Sequence, residues 1–357
     1  MSSHRPLSIL YVAYPLLAVT PESAGGAEQM LLTLEAAIAA RGHRTTVAAS
    51  AESRVHGHLL ATGEAANGPD QYEEREREHV ARVLEYLRHH PGEFDLVHDK
   101  SGSFFRRTGE CPVPVLATLH LPRSFYPGNA FESLASNVCF NCVSHSQAKS
   151  FVALPSLLGV VENGIDVERF AFTEKKQKYL LWLGRICEEK APHLAIEVAV
   201  QAGLPLVLAG QVYPFRYHQD YFNREVRPHL DGKSRVRFVE SPLAEQKLDL
   251  LRHARALLLT SKAEETSSLV AMEAMACGTP VVASRRGAFP EVVAHGETGF
   301  LTSNVDEMAD AIARIDEIRP EACRLLTERR FTASRMAAHY ERLYSDVIAR
   351  AANRAAA

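Results

Sequence analysis

Short apolar runs alternate with amphipathic helical patterns along almost the whole chain, and the alternation starts twice. In the first half, strands are expected at residues 7–13, 45–49, 96–98, 113–119 and 138–143. Helices are expected at 27–41, stopping at Gly42, and at 73–89, with a further helix start at Ser144-His145-Ser146. The pattern breaks over 154–169, where Pro155, Gly159, Asn163 and Gly164 gather, and the basic run Lys175-Lys176-Gln177-Lys178 follows. It restarts with strands at 179–183, 205–209, 236–239, 256–260 and 280–283. The helices between and after them fall at 191–202, 245–253, 269–276, 305–315 and about 332–352. Strands that alternate with helices pair in parallel through crossovers, which puts helices on both faces of a sheet. The fold class expected is therefore α/β, with two Rossmann-like, doubly wound domains and a cleft between them. At about 150 residues per domain, 357 residues also give two. In such sheets ligands bind beyond the carboxyl ends of the strands, so the chemistry should lie in strand-to-helix turns.

Several function classes drop out on bulk properties. A net charge of −3 gives no reason to bind nucleic acid or an anionic membrane wholesale. The apolar stretch 9–19 mimics a signal peptide, but Pro15 and two tyrosines interrupt it, and a buried first strand explains it better. No run reaches the ~18 apolar residues of a membrane span. A cytoplasmic location is the expectation, with peripheral membrane contact and oligomeric state left open. Six cysteines are too few for a disulfide scaffold. Cys139 and Cys142 form one C-x-x-C, with no second pair or His pair to complete a zinc site, and read as incidental thiols. Gly232-Lys233-Ser234 echoes the end of a P-loop, but Arg227 stands where the first glycine must be, and a strand follows instead of a helix.

The richest constellation lies in the second half. Glu265 and Glu273 are eight residues apart, spanning Thr266-Ser267-Ser268-Leu269-Val270, with a strand before and a helix beginning within. The hydroxyl residues are capping types, and a helix N-terminus offers free N–H groups and partial positive charge to a phosphate. If the helix starts early, both carboxylates share a face, one for sugar hydroxyls and one for a ribose. By itself the pattern also fits a capped helix with solvated glutamates. Arg185 and Lys190 could supply a bidentate fork and a point charge to a diphosphate. Gly25 and Gly26 could let a pyrophosphate approach the backbone. No G-x-G occurs, so this is not the dinucleotide fingerprint.

The run from Glu265 continues as Ala274-Met275-Ala276-Cys277-Gly278-Thr279-Pro280-Val281-Val282, then Gly287, Pro290-Glu291-Val292 and Gly296-Glu297-Thr298-Gly299-Phe300-Leu301. This closely resembles the donor-site signature of the GT-B glycosyltransferases of family 4, E-x-F-G-L-x-x-x-E-A-M-A-x-G-x-P-V-V followed by P-E-[IV]-[VI] and G-x-x-G-[FY]-L. The resemblance extends along the chain. Gly25-Gly26-Ala27-Glu28 is similar to the family's Gly-rich turn, and Thr118-Leu119-His120 to its T-x-H. Asn163-Gly164-Ile165-Asp166 with Phe170 resembles its linker, and Gly184-Arg185 with Lys190 its G-R-x-x-x-x-K. Phe331, Tyr340 and Tyr344 resemble the closing helix that returns to the first domain. The domains expected are then 1–160 plus about 335–357 for the acceptor, and 161–334 for the donor.

The resemblance implies a retaining hexosyltransferase using a nucleotide diphosphate sugar and an unidentified acceptor. A UDP-sugar with glucose is favoured, and GDP-mannose stays open. It implies His120, Arg185, Lys190 and Glu265 as catalytic residues. Gly25, Gly26, Gly184, Gly210, Ser267, Ser268, Leu269, Val270 and Glu273 would bind the donor. No metal or other cofactor is expected, because no D-x-D occurs; the nearest string is Asp166-Val167-Glu168. Cationic side chains would then neutralise the leaving diphosphate. Two departures stand out. Ser267 and Ser268 occupy the usual Phe-Gly positions within Glu265–Leu269, and Asp99-Lys100 follows His98 where relatives often have a second histidine. A sugar-nucleotide epimerase and a non-catalytic nucleotide-sugar binder remain the alternatives.

Overall fold

A computed structural model gives the structure of the chain and describes residues 5–23, 25–66, 68–232 and 235–355. Lys233 and Ser234 of the P-loop echo lie outside the described residues. The chain divides into two compact units, one of Met1–Gly164 with Ala333–Ala357, the other of Ile165–Thr332.

The first unit is built on seven strands: β1 (Ser8–Val12), β2 (Arg44–Ala49), β3 (His58–Ala61), β4 (Leu96–Asp99), β5 (Val115–Leu119), β6 (Val138–Cys142) and β7 (Leu157–Val160). Their order is β3-β2-β1-β4-β5-β6-β7, and every neighbouring pair is parallel. The order reverses between β1 and β4, the switch point of a doubly wound sheet. β1, β5 and β6 are buried along their whole length, as expected of apolar runs covered on both faces. Helices α1 (Gly26–Ala39), α2 (Tyr72–His89) and α3 (His145–Lys149) connect them. In α2, Val80, Val83, Leu84 and Leu87 are buried at helical spacing while its glutamates and arginines keep an otherwise polar helix in water. Cys139 and Cys142 sit three apart on β6 and so face opposite sides; both are free thiols.

The second unit carries six strands: β8 (Leu180–Leu183), β9 (Leu206–Gly210), β10 (Val236–Glu240), β11 (Ala256–Leu259), β12 (Val281–Ser284) and β13 (Gly299–Thr302). They pair in parallel in the order β10-β9-β8-β11-β12-β13, again reversing beside the first strand. Its helices are α4 (Pro192–Ala202), α5 (Arg216–Tyr221), α6 (Ala244–His253), α7 (Leu269–Ala276), α8 (Phe289–Val292), α9 (Val305–Ala313) and α10 (Pro320–Arg330). Proline opens α4, and Gly203 closes it in the left-handed conformation.

The last helix, α11 (Ala333–Ala355), belongs to the first unit. Tyr340 and Tyr344 are completely buried there, and Met336 Sδ accepts the Gly164 N–H. Arg41 and His43 both meet Glu341 on its outer side. Among the described residues, no helix is long and apolar enough to cross a membrane.

Several elements are absent from the reading of the sequence. β7 fills part of the expected break at 154–169, and the units divide later, between Gly164 and Ile165. β3 and β7 are four-residue edge strands without full burial, and Gly159 interrupts β7. β13 is as short and opens on a glycine, and α10 is mostly polar.

Candidate functional site

In the second unit the turns after β8, β9, β11 and β12 lie against one another. The turn after β8 is locked to the one after β9 by two main-chain bonds, Gly184 N–H to Ala209 O (3.1 Å) and Ile186 N–H to Gln211 O (3.0 Å). A Cβ on Gly210 would stand 1.8 Å from the Gly184 carbonyl oxygen, and Gly210 has φ +149°. Gly210 thus serves close approach of backbone, which fixes where Gly184 and Arg185 leave the sheet. The same turn is tied to the end of β11. Thr260 Oγ1 accepts from Trp182 Nε1 (3.1 Å) and donates to the Ala191 carbonyl (2.8 Å), while the Lys262 N–H donates to the Glu189 carbonyl (2.8 Å).

This brings Lys190 and Glu265 together from 75 residues apart. Lys190 Nζ sits 2.7 Å from both oxygens of Glu265, and Ser261 Oγ donates to Oε1 at 2.6 Å. The carboxylate is largely covered and the lysine about one-third exposed, so the pair faces solvent through its cation. The Glu265 main chain is pinned as well. Its carbonyl accepts the Ala288 N–H (2.7 Å), and a Cβ on Gly287, itself at φ +52°, would stand 2.4 Å from that carbonyl oxygen. The Arg185 guanidinium lies over the Tyr213 ring, 5.8 Å from its centroid.

Helix α7 begins at Leu269, so Glu265 projects from the loop and does not share a helical face with Glu273. Ser268 is the N-cap, and its hydroxyl accepts the Ala271 N–H at 3.3 Å. That commits the Ser268 side chain to the helix. Ser267, Leu269 and Val270 remain half-exposed, and the first-turn N–H groups of Leu269 and Val270 have no acceptor within the helix. Glu273 is turned into the unit. Lys247 Nζ of α6 lies 2.8 Å from its Oε1 and 2.7 Å from its Oε2, although Oε2 lacks a well-directed donor. Lys247 and Ser261 carry no motif; only the packing of α6 and the end of β11 reveals them.

In the first unit, the expected pyrophosphate approach at Gly25 meets a carboxylate instead. Gly25 is the N-cap of α1, and a Cβ there would stand 1.9 Å from Glu28 Oε2. Glu28 is buried, and burial raises its pKa above the usual carboxylate range. Gly26 is the first residue of α1. His120 follows β5, at the carboxyl edge of the same sheet, its pKa held well below the ordinary value by burial and by Lys100. Behind it runs a buried polar network. His98 Nδ1 meets Tyr344 Oη at 2.8 Å, and His98 Nε2 meets Thr118 Oγ1 at 2.7 Å. Thr118 in turn donates to Asn141 Oδ1 (2.8 Å), and Tyr344 meets the Tyr11 hydroxyl (3.1 Å). Lys100 is buried over the Tyr340 ring, 5.2 Å from its centroid, and burial brings its pKa down to about 7.

The comparisons with known proteins follow the same division of the chain. The family model of glycosyl transferases group 1 matches residues 165–329, and that of Glycosyltransferase Family 4 matches residues 24–169. The D-inositol 3-phosphate glycosyltransferase of Mycobacterium marinum is 28% identical over 261 residues, 63% of this chain and 56% of that protein. The chain spans about half the length of the curated relatives it matches. Among solved structures, AviGT4, a glycosyltransferase involved in avilamycin A biosynthesis, is similar with a TM-score of 0.74 at 23% identity, over 96% of this chain and 98% of that one. Anabaena HepE in complex with UDP-glucose is similar with a TM-score of 0.75 at 19% identity, over 95% of this chain and 100% of that one. At such identities the likeness concerns the fold, two Rossmann-like domains with parallel sheets. Both units thus carry a transferase family's pattern on the matching architecture, and the chain belongs to the GT-B glycosyltransferases of group 1.

Proposed function

We propose that the protein transfers a hexose, glucose foremost, from a UDP-sugar to an acceptor hydroxyl, with retention at the anomeric carbon and without a metal ion. One observation carries the reading. Lys190, Glu265 and the first turn of α7 are held by a shared set of turns whose glycines admit no side chain. Cation, carboxylate and free N–H groups are what a sugar diphosphate needs, and Arg185 adds a second fixed charge on the same turn as Lys190. HepE, of the same fold, binds UDP-glucose, which favours uridine over guanosine as the base.

In this reading Arg185, Lys190 and the N–H groups of Leu269 and Val270 take the diphosphate. Lys190 is shared between the phosphate and Glu265, so Glu265 keeps a counter-ion while its oxygens accept sugar hydroxyls. Breaking the C1–O bond to the diphosphate releases negative charge onto groups already oriented to receive it. The acceptor oxygen bonds to C1 on the same face, and its proton passes to the departing phosphate oxygen. Glu273 would take the ribose, and His120 would take a sugar hydroxyl as a neutral imidazole.

The first test is thermal stability of the purified chain against UDP, GDP, ADP and their sugars, with EDTA present. Ligand at 100 times its dissociation constant adds about 2.7 kcal/mol, a clear shift. The reading expects a shift with the uridine series alone, then donor turnover that requires an acceptor. Turnover of donor without acceptor would point to an epimerase. No shift with any nucleotide, with EDTA or without it, would remove the donor site.

A further inference from the structure

A second cluster stands beside the donor turn and takes no part in the chemistry above. Cys187, Glu189 and His218 present a sulfur, a carboxylate oxygen and a ring nitrogen that all lie within 4.8 Å of one another. Two residues come from the turn after β8 and the third from α5, which follows β9. These are the two segments already joined by the bond from Ile186 to Gln211. Cys187 and His218 are buried, and Glu189 is exposed, so the cluster opens to solvent on its carboxylate side.

The histidine is the unusual member. It is 2% exposed, and its Nδ1 is buried without a hydrogen bond. Tyr213, Phe215 and Tyr217 surround the ring, with centroids 5.9, 5.6 and 4.2 Å away. A buried imidazole with an unsatisfied nitrogen costs free energy and calls for an explanation. A buried ring nitrogen without a hydrogen bond, facing a thiol and a carboxylate, is placed as a metal ligand would be. Sulfur, nitrogen and one carboxylate suit a borderline-soft cation and disfavour magnesium or calcium. Thiolate and carboxylate together match a divalent charge, which keeps the nearby Arg185 compatible with the site.

We propose that Cys187, Glu189 and His218 bind a divalent cation of the zinc class, which ties the turn carrying Arg185 and Lys190 to α5. The Cys187 thiol gives up its proton to solvent as the metal–sulfur bond forms, and no electron is transferred. Three protein ligands leave the fourth position to water. The cation braces the turn and leaves the diphosphate to Arg185, Lys190 and the helix N-terminus.

Full-length protein, freed of metal by chelation and dialysed, would be titrated with Co²⁺ alone, then with Zn²⁺, with no nucleotide sugar present. The expected result is one cobalt per chain with a thiolate-to-cobalt charge-transfer absorption, removed by zinc, and a rise in Tm with zinc. Cys187→Ser should abolish the absorption. Glu189→Gln and His218→Gln should weaken affinity by more than about tenfold. Cys111→Ser, in the other unit, should leave the titration unchanged. Absence of the absorption in the wild-type chain, or its survival in Cys187→Ser, would overturn the site. Should Cys187→Ser fail to fold, Glu189→Gln decides, because that exposed side chain is not needed for folding: unchanged affinity there overturns the site too. No donor enters the titration, so its failure leaves the transferase reading standing, and loss of the uridine shift would leave this site untouched.

Discussion

At the scale of single residues, two lysines hold the two glutamates of the E-x7-E pair. Both lysines are partly exposed, but Glu273 is covered more fully than Glu265, with a side chain only 6% exposed against 14%. The two should behave differently on mutation. Arg185→Ala or Lys190→Ala should lower kcat/KM by about 10²- to 10³-fold, the loss expected when one donor to a developing oxyanion is removed, with Tm nearly unchanged. Lys247→Met leaves a buried carboxylate without its cation and should destabilise by about 3 kcal/mol in urea unfolding. Adding Glu273→Gln should restore much of that. Lys100 makes a pH prediction. Its pKa falls from 10.5 to about 7 because folding buries it, with Asp99 working in the opposite direction. Between about pH 7 and 10.5 the unfolded chain therefore binds more protons than the folded one, and stability rises with pH across that window. Each pKa unit is worth about 1.4 kcal/mol. Lys100→Met should flatten the rise in denaturant midpoints measured from pH 7 to 10; an unchanged slope would refute the assignment.

At the scale of elements, the turns after β8, β9, β11 and β12 are held by backbone packing more than by side chains. Gly210 and Gly287 both have positive φ and both lie where a Cβ would strike a carbonyl oxygen, at 1.8 Å and 2.4 Å. Gly210→Ala must part the turns after β8 and β9 and move Arg185. It should lower Tm by several degrees and abolish the nucleotide-induced shift, whereas Gly232→Ala, which has open space around it, should do neither beyond a small strain effect. At α7, Ser268 acts as a cap, so Ser268→Ala should cost about 1 kcal/mol. Ser268→Gly should cost only a few tenths. Donor affinity unchanged in Ser268→Gly would fit a capping role without phosphate contact.

For the whole molecule, α11 is part of the first unit although 168 residues of the second unit separate it from Gly164 in sequence. Tyr340 and Tyr344 close the polar network around His98 and Thr118. Ending the chain at Thr332 would open both hydrogen bonds and remove two fully buried tyrosines, each worth about 3–5 kcal/mol. That approaches or exceeds the total stability of a typical domain. Calorimetry of the truncated chain should show the first unit's transition lost and a second-unit transition that still responds to UDP-sugar. A single unchanged transition would contradict this.

Sequence alone determined the doubly wound class, the strands of both sheet centres and the family. These rest on local facts: buried parallel strands read as continuous apolar runs, and the Glu265–Leu301 motifs are contiguous. It also placed α7 within its observed bounds. It missed β3 and β7, which are short edge strands only partly covered, and β13, which is buried but only four residues long and opens on a glycine. Tertiary structure alone decided what each site residue touches. Lys190 meets Glu265, Lys247 meets Glu273, and Glu28 takes the space that Gly25 leaves open, since these pairings depend on which turns the parallel crossovers bring side by side. Likewise Cys187, Glu189 and His218 carry no motif and become a cluster only when β8 and β9 pair. Periodicity records which face of an element is buried, whereas contact between distant turns is fixed by sheet order, which no local pattern encodes.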